Sequence, residues 1–287
     1  MDLTNARDIK ALLEENGFHF SKAKGQNFLT ASWVPRRIAE EAGVDRDTGV
    51  LEVGPGIGPL TEQLCLRAGK VLAVELDQRL KPILMKTVGR FDTLELRFAD
   101  VMDLDLAATV RDAFPGLRPI ACANLPYYIT SPILTRLLEA RAFDSVTVMI
   151  QKEVAQRICA APGTGAGGAF TVFCHWYAEP KLLFDVPPSC FLPQPKVTSA
   201  VITLKTRHEP PCPVADEALF FKVVRAAFAQ RRKTLANALS SGFPNLGKER
   251  IAAILADCGL SPTVRGEALS AEQFAALSDS LYTPNAG

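Results

Sequence analysis

The residues Asn124-Leu125-Pro126-Tyr127 close the apolar run PIACAN (119–124), and their types suit one reaction. An amine attached to an aromatic ring is a poor nucleophile because its lone pair is delocalised into the ring. The side-chain carbonyl of Asn124 and the backbone carbonyl of Leu125 offer two acceptors for its N–H groups. Accepting them pulls the nitrogen toward tetrahedral geometry and aims the lone pair. Pro126 stiffens the loop and brings no competing N–H. Tyr127 presents a π-face to the base, a contact of about 1–3 kcal/mol. The chemistry is attack of a neutral exocyclic amine on a sulfonium methyl, where alignment in a dry site replaces a strong base. Asn-x-Pro alone is a common way to leave a strand, so the assignment rests on its surroundings.

Three other run ends supply those surroundings. Glu52-Val53-Gly54-Pro55-Gly56-Ile57-Gly58 ends the run VLEVG (50–54). Glycines at a strand-to-helix turn let the backbone approach a ligand, and the helix N-terminus adds amide donors. The spacing is GxGxG, not the GxGxxG of dinucleotide folds. The next run, VLAVE (71–75), ends in Glu75, where an acid can accept from both hydroxyls of a ribose. The run LELRFAD (94–100) ends in Asp100, preceded by Ala99. Each acid alone is an ordinary loop or cap residue. Together, on consecutive strand ends, they favour an adenosine-containing ligand in a crevice at the carboxyl edge of one sheet.

Such ends need a sheet to hold them. The runs above and SVTVMI (145–150) are short, rich in β-branched residues and bounded by turn residues, with helical patterns near 59–68, 77–88 and 131–141 between them. This predicts an α/β fold with a mostly parallel sheet covered on both faces. PKLLFDV (180–186) and TSAVITLK (198–205), joined by a short Pro-rich segment, are expected to form an antiparallel pair at the sheet edge. APGTGAGGA (161–169) reads as a flexible loop. HEPPCPVAD (208–216) reads as a linker, followed by helices over about 216–241, 248–258 and 270–282. The expected domains are 1–207 and a helical 208–287.

Composition narrows the function classes. Of 287 residues, 48% are hydrophobic and 22% charged, a globular balance. No apolar run is long enough to span a membrane. MDLTNARDIKALLEENGF at the N-terminus reads as an amphipathic helix, not a signal or transit segment, so a cytoplasmic protein is expected. The seven cysteines form no CxxC pair and the three histidines are isolated, so no disulfide framework and no metal site are expected. The net charge of +1 hides an asymmetry: residues 205–250 hold nine Lys and Arg against four Asp and Glu. A basic face on a neutral protein suits a polyanion partner, although a solvated helix face reads the same way.

With these pieces in place, the chain resembles the ribosomal RNA adenine dimethyltransferases, the KsgA type of class I methyltransferase, from about residue 20 to 282. The carriers are KGQNFL (24–29), EVGPGIGPLT (52–61), VELD (74–77), AD (99–100), NLPYY (124–128), QKEVAQRI (151–158), FLPQPKVTSAV (191–201) and AFAQRRKTLANAL (227–239). The resemblance implies a Rossmann-like sheet with an antiparallel edge strand, a small C-terminal helical domain that docks RNA, and S-adenosylmethionine as cofactor. It places Gln26, Asn27 and Leu29 over the cofactor, Gly54, Gly56 and Gly58 in its loop, Glu75 at its ribose and Asp100 at its adenine amine. Asn124 would touch both the methionyl part and the target amine, with Leu125 as second acceptor. Tyr127 and Phe191 would be stacking faces for the flipped-out adenine; the residues alone favour core packing for Phe191. Lys222, Arg225, Arg231, Arg232 and Lys233, with Lys22 and Lys24, and Arg36 and Arg37 adding to the same field, would contact phosphates, which position without reading sequence.

The implied substrate is two adjacent adenines near the 3′ end of 16S RNA in the small ribosomal subunit, each dimethylated, with a role in subunit biogenesis. Nothing demands a dimer, and a monomer is expected. GTGAGGAF (163–170) departs from the family's aromatic-Gly pair, and Asp103 and Asp105 compete with Asp100 for the adenine. The alternatives are a large-subunit methyltransferase of the antibiotic-resistance type, a non-catalytic assembly factor, and a nicotinamide oxidoreductase.

Overall fold

The computed structural model describes residues 1–18, 27–230 and 232–282. The chain divides into two compact units, residues 1–155 with 179–206, and residues 156–178 with 207–287. A single cut near 208 misses the second unit's earlier piece. That piece carries helix α8 (Ala169–Tyr177), whose Trp176 stacks on Phe220 with ring centroids 4.1 Å apart. Aromatic burial groups it with the later helices.

In the first unit, seven strands form the main sheet: β2 (Thr48–Val53), β3 (Lys70–Glu75), β4 (Leu94–Phe98), β5 (Arg118–Asn124), β6 (Ser145–Gln151), β7 (Ala178–Val186) and β9 (Ser199–Thr206). Their order is β4-β3-β2-β5-β6-β9-β7. A two-stranded antiparallel ribbon pairs β1 (Phe28–Leu29) with β8 (Phe191–Leu192). β2 through β6 run parallel, with Leu51 opposite both Leu72 and Ala121. β9 is antiparallel to β6 and lies inside the sheet, while β7 takes the edge. Every residue of β2 is buried, which is why these strands read as apolar runs without alternation.

Helices α1 (Ala6–Glu15), α2 (Trp33–Glu41), α3 (Pro59–Cys65), α4 (Lys81–Thr87), α5 (Leu106–Ala113), α6 (Thr130–Glu139) and α7 (Lys152–Cys159) occur along the same stretch. The amphipathic N-terminal helix forms as expected. Asn5 caps it by accepting from the amides of Arg7 and Asp8, and its Ile9, Leu12 and Leu13 join Ile57, Leu80 and Val88 in one apolar cluster. The chain runs outward from β2 to β4 and then crosses back to β5. The strand order therefore reverses between β2 and β5, where open α/β sheets leave a crevice.

The second unit holds α8, α9 (Glu217–Ala229), α10 (Leu235–Gly242), α11 (Lys248–Asp257) and α12 (Ala271–Leu281). The single helix expected over 216–241 is two. Gln230 has left helical geometry and Thr234 is extended, so the basic segment connects the helices instead of lying on one. The 161–169 loop is tied down: the Gly165 amide donates to the Glu267 carbonyl at 3.2 Å. Among the described residues no helix is long and apolar enough to cross a membrane, and no group of three or more His, Cys, Asp or Glu could hold a metal ion.

Candidate active site

Parallel register brings the strand ends together. Val53 lies opposite Val74 and Ala123, Glu75 opposite Phe98, and Asn124 opposite Met149. The residues that follow line one cleft within the first unit. Its lining includes Asn27, Phe28, Leu29, Glu52, Gly54, Gly56, Glu75, Asp77, Asp100, Asn124, Leu125, Tyr127, Tyr128 and Phe191.

The glycine loop leaves β2 through left-handed backbone. Gly56 has φ +62° and its amide donates to Glu75 Oε2 at 3.2 Å. Gly58 has φ +97°, and a Cβ there would come within 2.7 Å of Val88. Glycine is required at Gly58 by both backbone and space. Glu75, 7% exposed, also accepts from the Asp77 amide at 2.8 Å. Both carboxyl oxygens are thereby oriented, and each keeps a lone pair for a ligand. Burial pushes the Glu75 carboxyl up, and the amides of Asp77 and Gly56 oppose the shift.

Asp100 caps the short 3₁₀ turn at 101–103, its Oδ1 accepting from the Met102 amide at 2.9 Å. It is the only one of the three neighbouring acids in the lining. Asp103 is exposed, and Asp105 caps α5 through the Ala108 amide. Of the three acids, position puts Asp100 at the cleft.

The Leu125 amide donates to Met149 O at 3.1 Å and fixes the end of β5. The Tyr127 hydroxyl meets Ser199 Oγ at 2.7 Å, which locks its ring; burial raises its phenol and the Ser199 contact opposes that. Phe191 is 3% exposed and packs with Leu29, Val186 and Cys190, yet it also lines the cleft. Core packing and cleft wall are both true of it.

Gly58 is the one predicted cofactor-loop residue within the described chain that does not line the cleft; it holds the turn that leads into α3. Gln26, Lys22, Lys24 and Arg231 lie outside the described residues. Lys222, Arg225, Arg232 and Lys233 are exposed in the second unit, and Lys222 Nζ sits 4.8 Å from the Phe243 ring centroid. Arg36 and Arg37 are exposed on α2, where Glu40 and Glu41 pair with them at 3.9 and 3.4 Å and offset part of their charge.

Three cleft residues, Glu52, Asp77 and Tyr128, have no assigned part in the sequence. Glu52 is 1% exposed, and its Oε2 has no hydrogen-bond partner. Burial pushes its carboxyl up to about 8, with the charge of Glu75 adding to the rise and Thr61 opposing it. Its signal was an acid inside an otherwise apolar strand. Asp77 and Tyr128 lie inside the motifs VELD and NLPYY, and Ser199, which holds the Tyr127 hydroxyl but does not line the cleft, lies inside FLPQPKVTSAV. The described lining holds four carboxyl groups, at Glu52, Glu75, Asp77 and Asp100, and no Lys, Arg or His. Arg79 pairs with Asp77 at 2.6 Å and burial favours the protonated form of Glu52, which leaves Glu75 and Asp100 as the carboxylates that favour positive charge and oppose the pyrophosphate of a nicotinamide dinucleotide.

A sequence model described as ribosomal RNA adenine dimethylase matches residues 17–282. The chain belongs to that family. It is 45% identical over 284 residues to "Ribosomal RNA small subunit methyltransferase A" of Geobacillus sp. (strain WCH70), covering 98% of each chain. It is 46% identical over 285 residues to the protein of the same name from Bacillus licheniformis, covering 98% of this chain and 97% of that one. Among solved structures it is similar to the 23S rRNA methyltransferase ErmE, at 28% identity and TM-score 0.68, covering 89% of this chain and 99% of that one. A dimethyladenosine transferase from Plasmodium falciparum shares the fold at TM-score 0.73 and 23% identity, covering 87% of this chain and 95% of that one. The dimethylase family assignment carries the expected enzyme class, and its Rossmann-like fold is the one described above.

Proposed function

We propose that this protein transfers methyl groups from S-adenosylmethionine to the exocyclic amines of two adjacent adenines near the 3′ end of small-subunit 16S RNA, giving N6,N6-dimethyladenosine. The observation that carries the cofactor reading is the acid-lined cleft, with no base among its described residues, and with the partnerless buried oxygen of Glu52 and the amide-oriented carboxyl of Glu75 on neighbouring strand ends. These residues fit a cationic nucleoside. Glu75 would take the ribose hydroxyls, Asp100 the adenine amine, Gly54 and Gly56 the backbone-approach positions, and Asn27 and Leu29 the near wall. When bound, this cofactor supplies an electrophilic methyl group on a sulfonium.

Asn124 and the Leu125 carbonyl then accept the two N–H groups of the target amine and aim its lone pair. Tyr127, held by Ser199, and Phe191 wall the flipped base. The neutral amine sheds one proton to water after each transfer, so no protein base is needed. A monomethylated amine keeps one N–H for these acceptors and a dimethylated amine keeps none, which favours release after the second transfer. Exposed Lys222, Arg225, Arg232 and Lys233 take phosphates. This work belongs to a cytoplasmic enzyme acting in subunit assembly.

The small-subunit substrate is supported by identities of 45–46% to proteins named for it, against 28% to the 23S enzyme. The test is label transfer from S-adenosylmethionine to separated ribosomal subunits that lack these methyl groups. Label in the small subunit alone is expected; label in the large subunit alone would favour the resistance-type reading.

A further inference from the structure

Two tyrosines stand side by side at the cleft and differ in every physical respect. Tyr127 is half-buried with its hydroxyl engaged by Ser199. Tyr128 lines the same cleft but is 61% exposed, the most exposed aromatic ring among the described residues. Among those residues, no ring or hydrogen-bonding partner holds its side chain. Both belong to a 3₁₀ turn over Tyr127–Ile129. Consecutive side chains on such a turn diverge by about 120°, so the two rings present separate faces. The turn is firmly set: the Ile129 amide and the Thr130 hydroxyl both donate to the Pro126 carbonyl at 3.2 Å.

A rigid turn that leaves a large unpartnered ring in the lining of the cleft holds a ready stacking face for a base at the cleft mouth. Taking a base out of its stack strips one face from the neighbouring base as well. We propose that Tyr128 is the stacking face for the nucleotide next to the one walled by Tyr127, so that the cleft mouth grips a two-base step of single-stranded RNA. This inference rests on the RNA-methylation reading and adds a residue that selects for a stackable neighbour. In a substrate with two adjacent adenines, one of the two would occupy the Tyr128 face while the other is modified.

The test places 2-aminopurine, whose fluorescence falls on stacking, beside the target adenine in a small-subunit 3′-terminal RNA hairpin. The parent protein should quench it, Tyr128→Phe should quench it equally, and Tyr128→Ala should not. Tyr128→Ala should raise the KM for RNA by about tenfold, with the Kd for S-adenosylmethionine unchanged. Equal quenching by the parent and Tyr128→Ala, no quenching by the parent, or a Phe variant that behaves like Ala would each overturn the proposal. Failure of the underlying reading looks different: the parent would transfer no methyl group to any small-subunit RNA.

Discussion

The two units handle charge in opposite ways. In the first, four acids gather at the carboxyl ends of parallel strands, three of them almost wholly buried, with no base in the described lining. In the second, exposed cations lie along α9 and in the connection to α10, and Lys222, Arg225, Arg232 and Lys233 have no ion-pair partner among the described residues. Buried acids held by backbone amides are fixed in direction and suit recognition of one small cationic ligand. Exposed cations suit a polyanion whose phosphates repeat. Under the proposed function, the same chain separates precise recognition from general affinity.

If that separation is real, damage to one side should spare the other. The largest effect is expected from Asn124→Ala, which should lower methyl transfer by about 10³-fold while RNA binding in a filter or polarisation assay stays at the parent level. Parallel loss of RNA affinity would contradict the aligning role. Replacing Lys222, Arg225, Arg232 and Lys233 with Gln should weaken RNA binding by about 10²-fold at low salt, and flatten the slope of log affinity against log salt by about 0.7 per lost phosphate contact. Cofactor affinity measured by calorimetry should not move; an unchanged salt slope would remove these residues from the RNA surface. Glu75→Ala should raise the Kd for S-adenosylmethionine by about 10–100-fold and leave RNA affinity intact, which an equilibrium dialysis series would check.

The smallest effect concerns Glu52. Its carboxyl rises from an ordinary 4.5 to about 8 in the folded chain. Between those values the folded protein keeps a proton that the unfolded chain has released, so this group's contribution to stability falls as pH rises through that window and is flat outside it. Glu52→Gln should abolish the slope, with the unfolding midpoint several degrees above the parent at pH 8 and the two curves converging near pH 4. Parallel curves across the range would show that Glu52 is charged in the folded protein.

Legibility in the sequence followed chain locality. β2, β3, β4 and β5 were readable because each is a short apolar run ending in a residue type that does chemistry, and parallel register carries those ends to one edge without further information. Asp100 needed the structure, since Asp103 and Asp105 are chemically identical and only position separates them. Glu52 was visible as a lone acid in an apolar strand, but its missing partner is a three-dimensional fact. The Tyr127–Ser199 contact spans 72 residues and has no local signature. The second unit was legible only as charge and helical periodicity. The break after Ala229 and the recruitment of α8 depend on which aromatic rings pack together, and spacing along the chain does not encode that.

The most direct test of the account is nucleoside analysis of small-subunit RNA after reaction with the purified protein and S-adenosylmethionine, starting from subunits of a strain that lacks these modifications. The account predicts N6,N6-dimethyladenosine at two adjacent positions near the 3′ end, four methyl groups per subunit. Monomethyladenosine as the end product, or dimethyladenosine found only in large-subunit RNA, would contradict it.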